Sequence, residues 1–267
     1  MKSLLKWIII ILFIVIAISV YLEYRKESNA IETTITNVNT IENIDLLELP
    51  DDKNLIEYKA FHLSYNEEYE QANWVAYSLT CKETKGSVKR TNRFREDSRI
   101  VTNSAEDDDY RNSGYDRGHL MPAADCSWDL EVMNESFLFS NISPQEASFN
   151  RGIWKKLEER TRELACIYDS IYIITGPIFT NNMKRIGKNK VAVPEYFFKA
   201  FLNYRSKEAV AFIIPNSKTD MNIWEFAISV DSLESRLSFD LFYKLDDEIE
   251  REIESKVNYQ HWFEPIN

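Results

Sequence analysis

Apolar residues are distributed unevenly along the chain, and their pattern divides it into three regions. Residues 7–22 form an uninterrupted apolar run without a charged side chain. Residues 27–56 are mostly polar, with isolated apolar residues that follow no sustained period. From Leu63 onward, β-branched and aromatic residues recur in short blocks bounded by polar or turn-forming residues. Such blocks are typical of strands in a globular domain, which we expect to span residues 57–267.

Five apolar blocks have the length and composition of strands. They are residues 73–80, 170–179, 195–204, 208–216 and 223–230. The third and fourth blocks flank a polar turn around Arg205 to Lys207, which predicts a pair of joined strands. Residues 150–165 and 246–257 instead have the pattern of helices. Because the helices fall irregularly among the strands, the pattern predicts an α+β fold and not a repeated βαβ unit.

The first region has the features of a membrane-targeting segment. Lys2 and Lys6 precede the apolar run, as a positively charged region precedes the apolar core of a signal sequence. The run is 16 residues long, slightly short of the about 20 that span a bilayer as a helix. Since no convincing small-x-small cleavage site follows, we expect residues 1–26 to be an uncleaved signal anchor or transmembrane helix rather than a cleaved signal peptide.

The charges that flank the apolar run bear on its orientation. Lys2 and Lys6 favour an N-terminus inside the cytoplasm, although Arg25 and Lys26 lie on the far side of the run. This orientation makes residues 27–56 a tether and leaves the domain outside the cytoplasm, in the periplasm or the extracellular space. We therefore expect a membrane-anchored protein, or a secreted one if the N-terminal segment is cleaved.

Charge is also placed unevenly. The formal net charge is −11, which argues against a protein that coats nucleic acid, because phosphate binding requires Lys and Arg. Residues 82–99 depart from this balance, with seven basic residues against three acidic ones. Part of the acidic excess lies far from them, in residues 245–255. The basic segment is either a solvated loop or a local surface that faces phosphate.

The three cysteines, Cys81, Cys126 and Cys166, are too far apart in sequence to form a CxxC pair or a zinc-ligand pattern. Their odd number excludes complete pairing within one chain. The sequence slightly favours three buried thiols over one disulfide with one free thiol, which is the arrangement that a compartment outside the cytoplasm permits.

The stretch YDRGHLMPAAD, residues 115–125, concentrates candidate chemistry. His119 is one of three histidines in the chain, and an ordinary histidine pKa of about 6.5 allows it to accept a proton near neutral pH. An isolated histidine is more often structural than catalytic. Here Arg117 can bind an anion, Gly118 removes bulk beside the histidine, and Asp116 can order the turn. The combination indicates a general base beside an anion site.

A second polar pattern lies in residues 140–163, SNISPQEASFNRGIWKKLEERTRE. In a helix that begins near Asn150, one stripe of the surface contains Asn150, Trp154, Glu158 and Arg162. Taken alone, the stripe is more simply an amphipathic helix with a Glu158–Arg162 ion pair. Asn150 and Glu158 nevertheless offer oxygen ligands that suit a hard cation such as Mg²⁺. A base, a hard-metal site and several arginines together match the needs of phosphodiester hydrolysis.

These motifs, DRGH followed by SNISPQ and then N-x-G-x-W-x-x-L-E, resemble those of the DNA/RNA non-specific endonuclease family, the sugar-non-specific ββα-metal nucleases. The resemblance covers roughly residues 73–245, where NWVAYSLT, FREDSRI, DYRNSGYDRGHLMPAAD and YIITGPIF occur in the family order. It implies an α+β fold in which a central, mainly antiparallel sheet is flanked by helices and carries a ββα-metal core on one side.

The resemblance also implies the roles of the central residues. His119 matches the general base that activates the attacking water. Asn150 matches the one direct protein ligand of a Mg²⁺ ion, with Mn²⁺ or another divalent cation left open. Glu158 matches the carboxylate that orients the metal-bound waters.

Further residues are implied around the phosphate. Arg117 and Arg162 match arginines that support the phosphate site, and Asn141 matches a supporting amide. The family has one more arginine upstream, and spacing does not settle which residue it is. Arg90 is the first choice and Arg93 the second.

The resemblance implies a Mg²⁺-dependent endonuclease that hydrolyses phosphodiester bonds in both DNA and RNA. Two alternatives remain: a membrane-tethered binding module on a nuclease fold, and a phosphodiesterase with a substrate other than nucleic acid. The complete set of His119, Asn150, Glu158 and Arg117 favours an enzyme over a binding module. Preference between DNA and RNA, protein partners and a homodimer are left open.

Overall fold

The computed structural model describes residues 55–102, 104–237, 239–242 and 245–263. The predicted anchor at residues 1–26 and nearly all of the predicted tether lie outside these ranges. Within them, no helix combines the length and the apolar composition needed to cross a membrane. The membrane anchor therefore stays a prediction from the sequence.

The strands of the described residues form one large sheet and two small ones. In chain order they are β1 (Leu55–Glu57), β2 (His62–Asn66), β3 (Gln71–Thr80), β4 (Asp116–His119), β5 (Ile142–Gln145), β6 (Ser170–Ile178), β7 (Arg185–Ile186), β8 (Val191–Ala192), β9 (Tyr196–Asn203), β10 (Glu208–Pro215) and β11 (Ala227–Ile228). The large sheet has seven strands in the order β1-β2-β3-β6-β9-β10-β11. All its neighbouring strands are antiparallel, as the family resemblance implies.

The described part of the chain contains seven α-helices. They are α1 (Asp107–Tyr110), α2 (Leu130–Glu135), α3 (Ala147–Phe149), α4 (Lys155–Ile167), α5 (Val230–Glu234), α6 (Asp247–Glu254) and α7 (Tyr259–Phe263). Helix α4 packs on β3 and β6, whereas α5 and α6 pack on β10. Strands β6 and β9 are buried at nearly every position. A strand covered on both faces has a continuous apolar sequence rather than an alternating one, as these two strands do.

Four of the five predicted strands are confirmed as β3, β6, β9 and β10. The predicted turn between the last two is also present: Asn203 pairs with Glu208 across it, and Lys207 has a left-handed φ of 54°. The helix predicted at residues 246–257 is α6, which is shorter by a few residues.

The strand predicted at residues 223–230 is wrong over its first half. Ile223–Phe226 is a 3₁₀ turn, and only the two residues of β11 pair with β10. The backbone N–H of Asn222 donates to the Glu225 side chain at 2.7 Å, and the Asn222 side chain reciprocates at the backbone of Glu225. This reciprocal cap favours a helical turn over an extended chain, and it leaves Trp224 exposed.

The folded sheet begins earlier than predicted. Leu55 and Ile56, assigned to the tether by sequence, lie in β1 and pair with Ser64 and Leu63 of β2. His62 also lies in the sheet and pairs with Ala76 of β3.

A ββα unit lies beside the large sheet. Strands β4 and β5 pair antiparallel, with His119 opposite Ile142. The chain then continues through α3 and a π-helical segment, Asn150–Trp154, into α4. Gly152 has φ −106° and ψ −108°, outside the helical region, so the helix axis changes direction there. The helix predicted at residues 150–165 is thus confirmed, but its first turn is not α-helical.

Cys81 and Cys166 form a disulfide, and Cys126 is a buried free thiol. The preference for three buried thiols is therefore wrong. The pair meets because α4 packs on β3 and leads directly into β6, whose first residue, Ser170, pairs with Thr80 at the end of β3. The chain thus brings the residue after β3 close to the last turn of α4, and their Cα atoms are 4.2 Å apart.

Candidate active site

A cleft of about 400 Å³ lies where β4 ends beside the π-helical segment and α4. Every site residue predicted from the sequence lines it except Asn141, namely Arg90, Arg117, His119, Asn150, Glu158 and Arg162. The structure therefore brings together side chains from the loop after β3, from β4 and from one helix. Arg93, the second choice for the upstream arginine, does not line the cleft, whereas Arg90 does.

His119 ends β4 and is 7% exposed. Its ring lies edge-on to Phe137, with centroids 4.8 Å apart, and tilted to Phe94 at 5.5 Å. Burial, together with the positive charges of Arg90 and Arg117, lowers the pKa of His119 to about 3. The imidazole is therefore neutral near pH 7. Its Nε2 atom has no hydrogen-bond partner among the described residues. No other side chain therefore holds this nitrogen.

Gly118 has a different role from the one that the sequence suggests. A Cβ atom at this position would lie 2.1 Å from the Cδ and Oε1 atoms of Gln145, on the neighbouring strand β5. Its lack of a side chain accommodates close packing inside the ββα unit, and not substrate in the cleft. A larger residue would have to displace the buried Gln145 side chain.

Asn150 opens the π-helical segment and faces β4. Its Nδ2 atom donates to Oδ2 of Asp116 at 2.9 Å. Arg151 donates to both oxygens of the same carboxylate, at 2.8 and 2.6 Å. Burial raises the pKa of Asp116, but the hydrogen bonds from Arg151 and Asn150 outweigh it and hold the pKa below its usual value. Because the amide nitrogen of Asn150 is bound to a carboxylate, its amide oxygen remains free to accept a hydrogen bond or to bind a cation.

Glu158 lies two turns further along, in α4, and is partly buried. Burial raises its pKa, whereas the charge of Lys199 lowers it. Its predicted ion-pair partner Arg162 binds another residue: Nη1 donates to Oδ1 of Asp125 at 2.9 Å. Asp125 is fully buried and also accepts from the Tyr77 hydroxyl at 3.0 Å. The buried Asp125 carboxylate thus holds the Arg162 guanidinium in place. The Glu158 oxygens are not used by Arg162 and stay available to groups bound in the cleft.

Lys199 is a site residue that the sequence did not reveal. It comes from β9, is fully buried, and places its Nζ 4.8 Å above the Trp154 ring. Nζ has no hydrogen-bond partner among the described residues. Burial lowers the pKa of Lys199, while Glu158 and Asp125 oppose that effect. A single lysine inside the apolar block EYFFKAFLNY was the signal that could have identified it.

Two arginines are held over aromatic rings at the cleft. The guanidinium of Arg117 lies 4.4 Å from the Phe94 centroid and pairs with Asp107. That of Arg90 lies 4.9 Å from the Phe137 centroid. The same two rings pack on His119, so the aromatic pair sets the spacing between the histidine and both cations.

Asn141 is fully buried outside the cleft. Its side chain accepts from the backbone N–H of Met121 at 2.9 Å and donates to the carbonyl oxygens of Met121 and Ser136. These bonds fix the chain two residues beyond His119. Asn141 therefore holds the backbone next to His119 in position, and its side chain does not line the cleft.

The cleft is basic although the chain is acidic. Glu158 is the one carboxylate that lines it, against five cations, Arg90, Arg117, Arg151, Lys155 and Arg162. Of the basic residues in the segment at residues 82–99, only Arg90 lines this cleft. Arg99, for instance, stacks on Tyr58 and donates to the backbone carbonyl of Glu57. The local excess of positive charge suits a polyanion.

The sequence matches the DNA/RNA non-specific endonuclease family over residues 40–248. The human protein named Endonuclease G, mitochondrial (Homo sapiens) is 32% identical over 193 residues, which cover 66% of this chain and 65% of that protein. A protein named Nuclease from Nostoc sp. is 33% identical over 228 residues, which cover 79% of this chain and 81% of that protein. The chain thus spans slightly less than two thirds of the human relative's length.

The fold agrees with this match. A crystal structure of an EndoG/EndoGI complex aligns with a TM-score of 0.67 and 28% identity over 72% of this chain and 86% of that chain. Like it, this chain has a central antiparallel sheet with helices. The chain belongs to the DNA/RNA non-specific endonuclease family.

Proposed function

We propose that this protein is an endonuclease that hydrolyses phosphodiester bonds in both DNA and RNA and depends on a divalent cation, with Mg²⁺ the expected ion. One observation carries the proposal: a buried neutral histidine, an amide whose nitrogen is bound to a carboxylate and whose oxygen is left free, and five cations converge in a single cleft. These are the groups that phosphodiester hydrolysis requires, namely a base, a metal ligand and charges that neutralise the phosphate.

The residues of the cleft fit a divalent cation. Asn150 would hold it through the amide oxygen, since Asp116 binds the amide nitrogen. Glu158 would accept hydrogen bonds from its water ligands, which agrees with the few protein ligands that Mg²⁺ takes. When bound, such a cation neutralises charge on the phosphate and on the leaving oxygen.

His119 acts as the base. The neutral imidazole takes a proton from a water molecule, the water oxygen forms a bond to phosphorus, and the bond between phosphorus and the leaving sugar oxygen breaks. The leaving oxygen takes a proton from solvent, and the imidazolium returns its proton to solvent. Arg90 and Arg117 counter the added negative charge and also disfavour a charged His119 in the resting site.

The composition of the cleft supports a broad substrate range. Its charged lining consists of four arginines and one lysine with Glu158, and cations of this kind contact phosphates, which carry no base sequence information. The phosphate group is common to DNA and RNA. We therefore infer binding through the backbone of either nucleic acid.

We further propose that the domain works outside the cytoplasm, either anchored by residues 1–26 or secreted. The Cys81–Cys166 disulfide supports this location, because disulfides persist in oxidising compartments. Cys166 is exposed, so a reducing cytoplasm would have access to the bond.

Digestion by the full chain tests the proposal. Plasmid DNA and RNA should both be cut in Mg²⁺ and neither in EDTA, and Asn150→Ala should raise the Mg²⁺ concentration needed for half-maximal rate. If a small phosphodiester such as bis(p-nitrophenyl) phosphate is hydrolysed and neither nucleic acid is cut, the substrate assignment is wrong. Unchanged Mg²⁺ dependence in Asn150→Ala would contradict the ligand assignment.

A further inference from the structure

Three carboxylates meet at the C-terminal helices. Asp231 and Glu234 lie on α5, and Glu254 is the last residue of α6. One oxygen from each of the three lies within 4.8 Å of the other two. None of these residues lines the catalytic cleft, so this carboxylate cluster is a separate feature of the molecule.

Glu254 is a buried carboxylate with an oxygen that lacks a hydrogen-bond donor in the described part of the chain. It is 1% exposed, and its Oε1 atom has no hydrogen-bond partner among the described residues. A buried carboxylate without a donor is strongly disfavoured unless it takes a proton or a cation. Burial raises the pKa of Glu254 to about 9, and Glu234, Glu250, Asp240 and Asp231 add to this effect in that order.

Asp240 extends the cluster. It belongs to the chain between α5 and α6, and its Oδ1 atom is buried without a hydrogen-bond partner in the described part of the chain. Its charge acts on both Glu234 and Glu254. Glu234 accepts from the backbone N–H of Leu241 at 2.7 Å through Oε1, which leaves its second oxygen for another partner. The repulsion among these carboxylates is relieved either by a proton or by a bound cation.

We propose that Asp231, Glu234 and Glu254 form a second divalent-cation site, selective for Ca²⁺, which clamps α5 to α6. Hard cations take carboxylate oxygens. Ca²⁺ accepts six to eight oxygen ligands in total, waters and carbonyls included, with flexible geometry, whereas Mg²⁺ keeps most of its waters and uses few carboxylates. Several carboxylates that converge from two helices therefore fit Ca²⁺. Because α5 and α6 both pack on β10, the bound ion stabilises this edge of the domain.

Calcium titration of the EDTA-treated full chain tests the site. Wild-type protein should bind Ca²⁺ by isothermal titration calorimetry, and at about ten times the Kd its Tm should rise by about 3–5 °C. Glu254→Gln should lose this rise and, in EDTA, should unfold close to the wild-type temperature, because the glutamine amide replaces a carboxyl that takes a proton when no cation is bound. Glu248→Gln, on an exposed position of the same helix, is the matched control and should respond as wild type does.

Two variants distinguish the proposed Ca²⁺ site from the catalytic site. Asn150→Ala should retain the full Ca²⁺-dependent rise in Tm, and Glu254→Gln should retain Mg²⁺-dependent activity at temperatures where it is folded. An equal Ca²⁺ response in wild type and Glu254→Gln would overturn the proposal. So would a wild type that gains stability on acidification but not with Ca²⁺ at about 1 mM or more, because the carboxyls would then share protons instead of a metal.

Discussion

The side-chain amide of Asn150 donates to the carboxylate of Asp116, with Nδ2 and Oδ2 2.9 Å apart. The two residues lie 34 positions apart in sequence and meet because β4 runs beside the π-helical segment. The bond occupies the amide nitrogen of Asn150 and leaves its amide oxygen free to bind a cation. Asp116 therefore sets the orientation of the proposed metal ligand without lining the cleft itself.

Replacing Asp116 tests this relationship. In Asp116→Asn the new amide can donate as well as accept, and it no longer holds Arg151 by charge. We expect the cleavage rate at limiting Mg²⁺ to fall about 10- to 100-fold, the usual effect of losing a partner of a metal ligand, and the Mg²⁺ requirement to rise. Asp108→Asn is the control, because Asp108 is an exposed residue that pairs with Arg111 outside the catalytic cleft. Equal rates in the two variants at limiting Mg²⁺ would contradict the role of Asp116.

Lys199 should control the pH dependence of cleavage. Its positive charge opposes the effect of burial on Glu158 and keeps the Glu158 pKa from rising further. In Lys199→Met the pKa of Glu158 should rise, so the carboxylate forms only at higher pH and the acidic limb of the rate profile should move upward.

The matched control for this pH profile is Lys218→Met, which removes an exposed lysine. Its profile should coincide with that of the wild type. A Lys199→Met profile that also coincides would show that Lys199 is only a packing residue. A large loss of Tm without a shift of the profile would lead to the same conclusion.

The disulfide should stabilise the helix that carries Glu158 and Arg162. Cys81 and Cys166 are 85 residues apart, and a cross-link that closes a loop of this size contributes about 2–4 kcal/mol. We expect reduction to lower the free energy of unfolding by that amount in denaturant titrations. The Cys81→Ser/Cys166→Ser double variant should be as unstable as the reduced protein and should not respond to reductant. Identical stability with and without reductant in the wild type would contradict the contribution.

Local sequence patterns predicted much of the fold and the centre of the site. Strands β3, β6, β9 and β10 follow from apolar blocks, because each is long and buried. His119 and Asn150 follow from short motifs, because each motif lies within one segment of the chain. The 3₁₀ turn at residues 223–226 was missed because a cap between Asn222 and Glu225 outweighed a strand-like composition.

The supporting groups could not be predicted in the same way. Asp125 reaches Arg162 only because the turn after β4 packs against α4, and the charge of Lys199 acts on Glu158 only because β9 pairs with β6, on which α4 packs. The packing role of Gly118 was missed because the Gln145 side chain that fills the space beside it comes from another strand. Each of these contacts depends on tertiary packing between distant segments, which no local pattern encodes.

Nuclease assays with His119→Ala are the most direct test of the central claim that His119 is the base. The full chain with this substitution should lose nearly all cleavage of plasmid DNA and RNA in Mg²⁺, a loss of about 10²- to 10⁴-fold, while keeping the wild-type circular-dichroism spectrum and Mg²⁺ binding. His62→Ala, outside the cleft on β2, should keep the wild-type rate per folded molecule. A folded His119→Ala protein that cuts at the wild-type rate would contradict the account.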